Sequence, residues 1–375
     1  MNEKITRIFN IIRKFIEIKG SDLHLRANSA AYVRLNGNLH VLEPDYVISE
    51  EEIREFANFV MSPKQSERFE EEKECDVGYN FEDIARLRMN IFYQRGLINI
   101  AIRNIPLEIP SKESLSLPEI IYKLAENVRG LVLVTGPAGS GKSTTLASMI
   151  DHINSTRAAH IVTIEDPIEF IHKDKKSIIS QREVPYDTNS FLSALKHVVR
   201  QNPDVILIGE MRDLETMQAA LTAAQLGHFV LSTIHTVDTI QTINRIIDMF
   251  PPHQQNQVRL QLADTLKGII SQRLVVKKDQ SGLIPAVEVL VVTPAVKKCI
   301  EERNLNDIFN LMKQGKHYGM QTFNQALLDL YTSGQISLEA ALQAATSPEE
   351  LMLAIKGIET GTGPSSQIFE RFERK

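Results

Sequence analysis

Residues 131–144 read Leu-Val-Leu-Val-Thr-Gly-Pro-Ala-Gly-Ser-Gly-Lys-Ser-Thr, an apolar run followed by a glycine-rich turn. The apolar run predicts a buried strand, and the residues that follow the turn predict a helix. The turn matches the pattern G-x-x-x-x-G-K-[ST] through Gly136, Gly141, Lys142 and Ser143. A strand, such a loop and a helix in this order indicate a nucleoside triphosphate-binding protein.

The chemistry of phosphate binding explains this spacing. Glycines let the backbone curl so that successive amides point at a phosphate, and the helix start adds the positive end of its dipole. Lys142 would supply a cation to the β- and γ-phosphates of ATP, and the Ser143 hydroxyl would face Mg²⁺. The residues expected to contact ATP are Gly136, Pro137, Ala138, Gly139, Ser140, Gly141, Lys142, Ser143 and Thr144.

Bulk composition limits the classes of protein to consider. A chain of 375 residues predicts two or three domains at about 150 residues each. The net charge of −5 argues against a wholly basic nucleic-acid-binding surface. Cys75 and Cys299 are too few for a four-thiolate zinc site and fit a reducing cytosol. No apolar run approaches the ~20 residues of a membrane span, and the first residues do not resemble a signal peptide, so we expect a cytoplasmic protein.

Patterns on either side of the loop predict an α/β architecture in several parts. Alternating apolar residues around the turn signal Asn36-Gly37 indicate an antiparallel sheet. Further on, continuous apolar strands alternate with helical stretches, which is typical of a parallel sheet with crossover helices. The predicted parts are an α+β N-terminal domain at 1–104, a hinge linker at 105–118, an ATPase core at 119–291, a helical region at 292–358 and a loosely ordered tail at 359–375.

Two of the predicted strands end in acidic residues. Glu210 follows Val-Ile-Leu-Ile-Gly at 205–209 and could position Mg²⁺ or activate the attacking water. Its alternative role is an ion pair with Arg212 or a helix cap. Glu165 follows the strand at 161–164 and begins an acidic cluster, whose like charges repel unless a cation lies near. The alternative for Glu165 is a solvated acidic loop.

A third strand, at 229–233, is followed by Ile-His-Thr. An isolated histidine is usually structural, but His235 would lie at the same edge of a parallel sheet as Lys142 and Glu210. There it could sense the γ-phosphate and transmit its loss to the predicted helix at 239–249.

Arginines on the predicted strands of the N-terminal domain are candidates for a further contribution to the ATPase site. Phosphoryl transfer is often completed by an arginine that another domain or subunit provides. The candidates that precede the hinge are Arg86, Arg88, Arg95 and Arg103.

These motifs together resemble the secretion-type ATPases, and most nearly the PilT-type retraction ATPases of type IV pili. The resemblance covers about residues 3–345. It rests on the order of phosphate loop, aspartate box, Walker B motif and histidine box, carried by the segments 136–144, 164–169, 209–213 and 232–236. Further similar segments are 21–25, 86–96, 269–272 and 319–322.

The resemblance implies a ring-shaped homohexamer with a PAS-like N-terminal domain and a RecA-like ATPase domain, using ATP and Mg²⁺. It implies that Glu210 is the catalytic glutamate, Glu165 a metal- and water-positioning acid, and that Arg88 and Arg103 reach nucleotide. Ser143, Glu165 and Glu210 are the expected Mg²⁺ contacts. The implied partner is an inner-membrane pilus platform protein, which would hold the ring at the inner face of the cell membrane.

Two departures keep alternatives open. The stretch 295–302 and the tail beyond about 350 differ from the retraction enzymes, which keeps a PilU-like accessory ATPase possible. Pilus-assembly and type II secretion ATPases usually carry a four-cysteine zinc insertion and are less favoured. A RecA-type nucleic-acid motor or a nucleotide-gated scaffold belongs to another class; the chain has no basic, aromatic-interleaved stretch for single strands, and we expect no direct nucleic-acid contact.

Overall fold

The computed structural model describes residues 3–35, 38–82, 84–105 and 109–358. The chain divides into two compact units, Met1–Glu108 and Ile109–Lys375, so the boundary falls inside the predicted hinge linker. The turn signal Asn36-Gly37, residues 106–108 of the linker and the predicted tail at 359–375 lie outside the described residues. The predicted division into five parts stays a prediction.

As far as its residues are described, the N-terminal unit is a six-stranded antiparallel sheet with three helices. The helices are α1 (Glu3–Glu17), α2 (Glu50–Val60) and α3 (Pro63–Glu72). The strands are β1 (Asp22–Arg26), β2 (Tyr32–Leu35), β3 (Asn38–Val41), β4 (Glu74–Phe81), β5 (Ala85–Gln94) and β6 (Leu97–Ile105), in the spatial order β3-β2-β1-β6-β5-β4. Residues along β5 alternate between buried and half-buried, as a sheet with one covered face requires.

Helix α1 buries the apolar face that its sequence predicts. Ile8, Ile12 and Phe15 recur at helical spacing and are fully buried in the core of this unit. Ser49 and Ser62 start the next two helices with reciprocal capping boxes, which satisfy first-turn amides.

Between residues 109 and 358, the larger unit contains a seven-stranded sheet in the order β13-β12-β7-β11-β10-β8-β9. Its strands are β7 (Gly130–Thr135), β8 (His160–Glu165), β9 (Ile178–Glu183), β10 (Val205–Ile208), β11 (Phe229–Ile234), β12 (Leu266–Val276) and β13 (Leu283–Val291). Neighbouring strands are parallel except for β12 and β13.

Helices cover this sheet and form the C-terminal region. They are α4 (Lys112–Leu115), α5 (Glu119–Ala125), α6 (Lys142–Thr156), α7 (Phe191–Val198), α8 (Leu214–Gln225), α9 (Thr239–Asp248), α10 (Pro252–Thr265), α11 (Pro294–Glu301), α12 (Leu305–Gln314), α13 (Phe323–Thr332), α14 (Leu338–Ala344) and α15 (Pro348–Ile355), with a 3₁₀ helix at Gly315–Tyr318.

The four strands that the apolar runs predict are present, and three more lie beside them. Every residue of β7, β10 and β11 is buried, because helices pack on both faces of the sheet. The unpredicted strand β9 lies at an edge and reads Ile-Ile-Ser-Gln-Arg-Glu, so it lacks the continuous apolar run of a central strand. The antiparallel pair of β12 and β13 closes the opposite edge.

Candidate nucleotide-binding site

The phosphate loop connects β7 to α6 through glycine conformations. Gly136 and Gly141 have φ angles of 145° and 88°, which L-residues with side chains rarely adopt. A Cβ atom on Gly136 would also lie 2.5 Å from the carbonyl oxygen of Gln272 and from Oγ of Ser140. The loop therefore folds tightly at its base, whereas its tip at 137–139 is exposed.

Lys142 begins α6, and only 8% of its surface is exposed. Its Nζ atom donates hydrogen bonds of 2.9 Å to the carbonyl oxygens of Gly136 and Pro137. Burial lowers the pKa of Lys142, and the charges of Glu169 and Glu210 oppose this shift. The ammonium group is thus held inside the curl of the loop, within the field of two carboxylates.

The start of α6 has no side-chain cap. The helices α7, α8 and α9 each begin with a side-chain oxygen that accepts a first-turn amide, from Ser190, Asp213 and Asp238. The N-cap of α6 is Gly141, which has no such oxygen. First-turn amides and the positive end of the helix dipole are therefore available to an anion. Ser143 and Thr144, both half-buried, lie in this first turn.

Buried polar groups of β12 support the phosphate loop from below. Gln272 Nε2 donates to Oγ1 of Thr145 in α6 at 2.8 Å. The hydroxyl oxygens of Ser271 and Thr135 lie 2.7 Å apart. Because Thr135 is the last residue of β7, these bonds connect β12 to both elements that flank the loop.

The pairing of four adjacent strands aligns their carboxyl ends with the phosphate loop. Thr135 of β7 is opposite Ile234 of β11. Ile208 of β10 is opposite both Ser232 of β11 and Ile164 of β8. The three polar strand ends therefore follow the loop along one edge of the sheet, which is where α/β sheets bind ligands.

Glu165, at the end of β8, is half-buried and surrounded by uncharged donors. Its Oε1 accepts hydrogen bonds from Thr163 Oγ1 at 2.6 Å and from Gln181 Nε2 at 3.3 Å. Its Oε2 accepts the amide of Glu169 at 3.4 Å. Burial raises the pKa of Glu165 to about 6, although the three hydrogen bonds act in the opposite direction.

Glu210, two residues beyond β10, faces a guanidinium group and an imidazole ring. An Arg212 Nη2 atom lies 2.6 Å from Oε1, and Nε2 of His235 lies 3.4 Å from Oε2. The Glu210 side chain is 13% exposed, whereas that of Arg212 is 73% exposed. The ion pair with Arg212 that the sequence left as an alternative is thus present, and it occurs together with the contact to His235.

The two predicted arginines of the N-terminal unit are cross-strand partners. Arg88 of β5 is opposite Arg103 of β6, and Arg103 is opposite Asp22 of β1. Arg103 Nε donates to Asp22 Oδ1 at 3.0 Å. Burial acts to raise the pKa of Asp22, but hydrogen bonds from Ser21 and Arg103 outweigh it and the pKa is lowered.

Sequence reasoning did not find several polar residues that contact the predicted site residues. Thr163 and Gln181 bind Glu165, and Ser271 and Gln272 lie beneath the phosphate loop. For Thr163, Ser271 and Gln272 the available signal was a polar residue in a mainly apolar strand, since a buried polar group needs a hydrogen-bond partner. The sequence around Gln181 offers no such signal, because β9 is mainly polar.

Comparisons with known proteins agree with this geometry. Residues 114–282 match the family model described as "Type II/IV secretion system protein". The type IV pilus ATPase PilU of Pseudomonas aeruginosa is 42% identical over 346 residues, 92% of this chain and 90% of that protein. The retraction ATPase PilT of the same organism is 41% identical over 329 residues, 88% of this chain and 95% of that protein.

A crystal structure of the pilus retraction motor PilT with bound ADP superimposes with a TM-score of 0.86, at 46% identity, over 92% of this chain and 98% of that one. The chain belongs to the type IV pilus ATPase family. The predicted resemblance, the α/β ATPase fold with a smaller α+β unit, and nucleotide binding are thereby confirmed for this type IV pilus ATPase. Among the described residues, no helix is both long enough and apolar enough to cross a membrane.

Proposed function

We propose that this chain is an ATP-driven motor for the retraction of type IV pili. The observation that carries the proposal is the edge of the parallel sheet, where the phosphate loop, His235, Glu210 and Glu165 follow one another on adjacent strands. The similarity to the ADP-bound retraction motor over 92% of the chain supports the same assignment.

ATP would bind with its phosphates in the curl of residues 136–144. Lys142 Nζ now binds two loop carbonyl oxygens, and phosphate oxygens would take their place as stronger acceptors of a charge-assisted bond. The uncapped first turn of α6 would supply amide donors to the same phosphates.

The residues around the loop fit Mg²⁺. This ion prefers oxygen ligands and usually keeps phosphate and water in its coordination sphere. Ser143 offers a hydroxyl, and Glu165 and Glu210 offer carboxylates at the same sheet edge. In the described part of the chain, no group of three or more acidic, histidine or cysteine side chains is arranged to hold a metal ion. Bound Mg²⁺ would neutralise charge on the phosphates.

Glu210 is our candidate for the general base. Its carboxylate would accept a proton as water attacks the γ-phosphate in line, and ADP would leave with the β-phosphate oxygen. Glu165 would orient the water and the metal. His235, 3.4 Å from Glu210, would report the loss of the γ-phosphate to α9, which begins four residues later.

The arginines point to a site that is completed by assembly. We propose a homohexamer in which Arg88 and Arg103 stabilise the charge of the transferred phosphoryl group. Successive hydrolysis around the ring would displace an inner-membrane platform protein of the pilus. The ring would then lie in the cytoplasm, peripheral to the inner face of the cell membrane.

Deletion of the gene tests this function. Cells that lack the chain should carry excess surface pili and lose twitching motility, and the wild-type gene should restore both. A gene encoding Lys142→Ala should restore neither, because that chain loses its phosphate-binding cation. Cells without pili would instead indicate an assembly motor.

A PilU-like accessory role is the second candidate. It is favoured by the 42% identity to PilU over 92% of the chain. In this case the deletion strain should still retract pili when another retraction ATPase is present. Measuring retraction of single pili in the single and double deletion strains separates the two roles.

A further inference from the structure

The acidic loop at 166–172 is held by side chains rather than by strand pairing. The amide of Ile168 donates to Glu183 Oε2 at 3.1 Å, and the amide of His172 donates to Gln181 Oε1 at 2.8 Å. Gln181 Nε2 donates in turn to the carbonyl oxygen of Phe170 at 2.8 Å. Gln181 and Glu183 are alternate residues of β9, so they present their side chains to the same face.

Gln181 also contacts the carboxylate at the start of that loop. Its Nε2 lies 3.3 Å from Glu165 Oε1, the oxygen that also accepts the Thr163 hydroxyl. The strand register explains this contact, because Gln181 of β9 is opposite Thr163 of β8, two residues before Glu165. One carboxamide therefore holds the carboxylate and the backbone of the loop together.

The two oxygens of Glu165 consequently differ. Oε1 accepts two side-chain donors, whereas the one donor to Oε2 within the described ranges is the amide of Glu169 at 3.4 Å, a long hydrogen bond. A carboxylate oxygen has two lone pairs, so Oε2 keeps more capacity for a further ligand. The two hydrogen bonds to Oε1 hold the carboxylate in one orientation and so set the direction in which Oε2 points.

We propose that Gln181 is a positioning residue for Glu165 in ATP hydrolysis. Gln181 would act through the Glu165 carboxylate and not by contact with nucleotide. This proposal rests on the role that the proposed function gives to Glu165. A carboxamide is needed, since a glutamate at this position could accept the His172 amide but could not donate to Glu165 or to Phe170. Misplacing a positioning group by about 1 Å can lower turnover by roughly a hundredfold.

The test uses the full chain and two variants of similar size, Gln181→Met and Gln181→Glu. We expect kcat for ATP to fall by roughly tenfold or more in both, with KM within about twofold, because the phosphate loop is untouched. Binding of a fluorescent ADP without divalent metal should stay at the wild-type level. Gln321→Met is the matched control: its Nε2 donates to the Val287 carbonyl at 2.7 Å, away from Glu165, and kcat should be unchanged.

Coupling to Glu165 is measured by a double-mutant cycle under single-turnover conditions. The variant carrying both Gln181→Met and Glu165→Gln should be no slower than Glu165→Gln alone. Hydrogen exchange provides a readout that does not depend on activity. The His172 amide should exchange faster in Gln181→Met, while amides in β8 and β10 keep their protection.

The outcomes separate this proposal from the proposed function. Wild-type turnover in Gln181→Met, with Glu165→Gln inactive, would overturn the positioning role and leave the function intact. Wild-type turnover in Glu165→Gln would remove the role of Glu165 itself. If the loss of turnover in the double variant equals the product of the two single-variant losses, Gln181 acts independently of Glu165, and this result also overturns the proposal. If thermal melting shows that the Gln181→Met variant is not folded, the same criteria are applied to Gln181→Glu.

Discussion

Glu165 and Glu210 end neighbouring strands of one sheet, yet their carboxylates have opposite surroundings. Glu165 accepts hydrogen bonds from a hydroxyl, a carboxamide and a backbone amide, all uncharged. Glu210 lies against the guanidinium of Arg212 and the imidazole of His235. Burial raises the pKa of Glu165 to about 6. Two acids at neighbouring strand ends can thus perform different tasks, because their surroundings and not their residue type differ.

The largest effect should come from Glu210→Gln, which removes the proposed base and keeps the side-chain shape. We expect kcat to fall by a factor on the order of 10²–10⁴, with nucleotide still bound. Phosphate release and binding of fluorescent ADP measure the two quantities. Glu215→Gln is the control, since Glu215 is an exposed acid in the first turn of α8. Turnover near the wild-type rate in Glu210→Gln would mean that another group accepts the proton.

Glu165→Gln should reduce turnover less. A carboxamide still accepts the Thr163 hydroxyl but lacks the charge that orients water and metal, so we expect a loss of roughly 10- to 100-fold in kcat. Titrating Mg²⁺ at saturating ATP should show a weaker apparent affinity for the metal. The distinction between the two acids fails if Glu165→Gln and Glu210→Gln give the same loss and the same Mg²⁺ dependence.

The stability of the chain without nucleotide and metal should depend on pH through Glu165. The pKa of Glu165 is about 6 in the folded chain against an ordinary 4.5, so its contribution to stability is complete below 4.5 and is lost as pH rises through 6. Glu165→Gln should therefore raise the free energy of unfolding at pH 8, by about 2 kcal/mol at most, and by less at pH 4.5. Denaturant unfolding at both pH values measures this. An equal change at both would contradict a burial penalty on the charged form.

The smallest effect should come from Arg212→Ala. This guanidinium is 73% exposed, and exposed ion pairs contribute about 0–1 kcal/mol. We expect kcat to change by less than about fivefold, because His235 still faces Glu210. A loss as large as that of Glu210→Gln would give Arg212 a direct part in the reaction.

Local sequence was enough for the phosphate loop and the central strands. The glycines, Lys142 and Ser143 lie in one short segment of the chain, so their spacing alone predicts the loop that binds phosphate. Apolar runs predicted β7, β8, β10 and β11 because strands covered on both faces consist mainly of apolar residues. The edge strand β9 was not predicted for the converse reason, since four of its six residues are polar and one of the six is buried.

The chain order alone places the phosphate loop, Glu165, Glu210 and His235 at strand ends, since each follows an apolar run directly. The residues that surround each of these groups depend on the spatial strand order β7-β11-β10-β8-β9. The order of the strands along the chain does not determine this spatial order, because crossover connections can place consecutive strands in several ways. Gln181 is 16 residues from Glu165 in sequence, and only the parallel pairing of β9 with β8 brings its amide to the carboxylate. The sequence therefore predicts candidate reacting groups, whereas tertiary packing raises the pKa of Glu165, because desolvation and hydrogen bonding act through space.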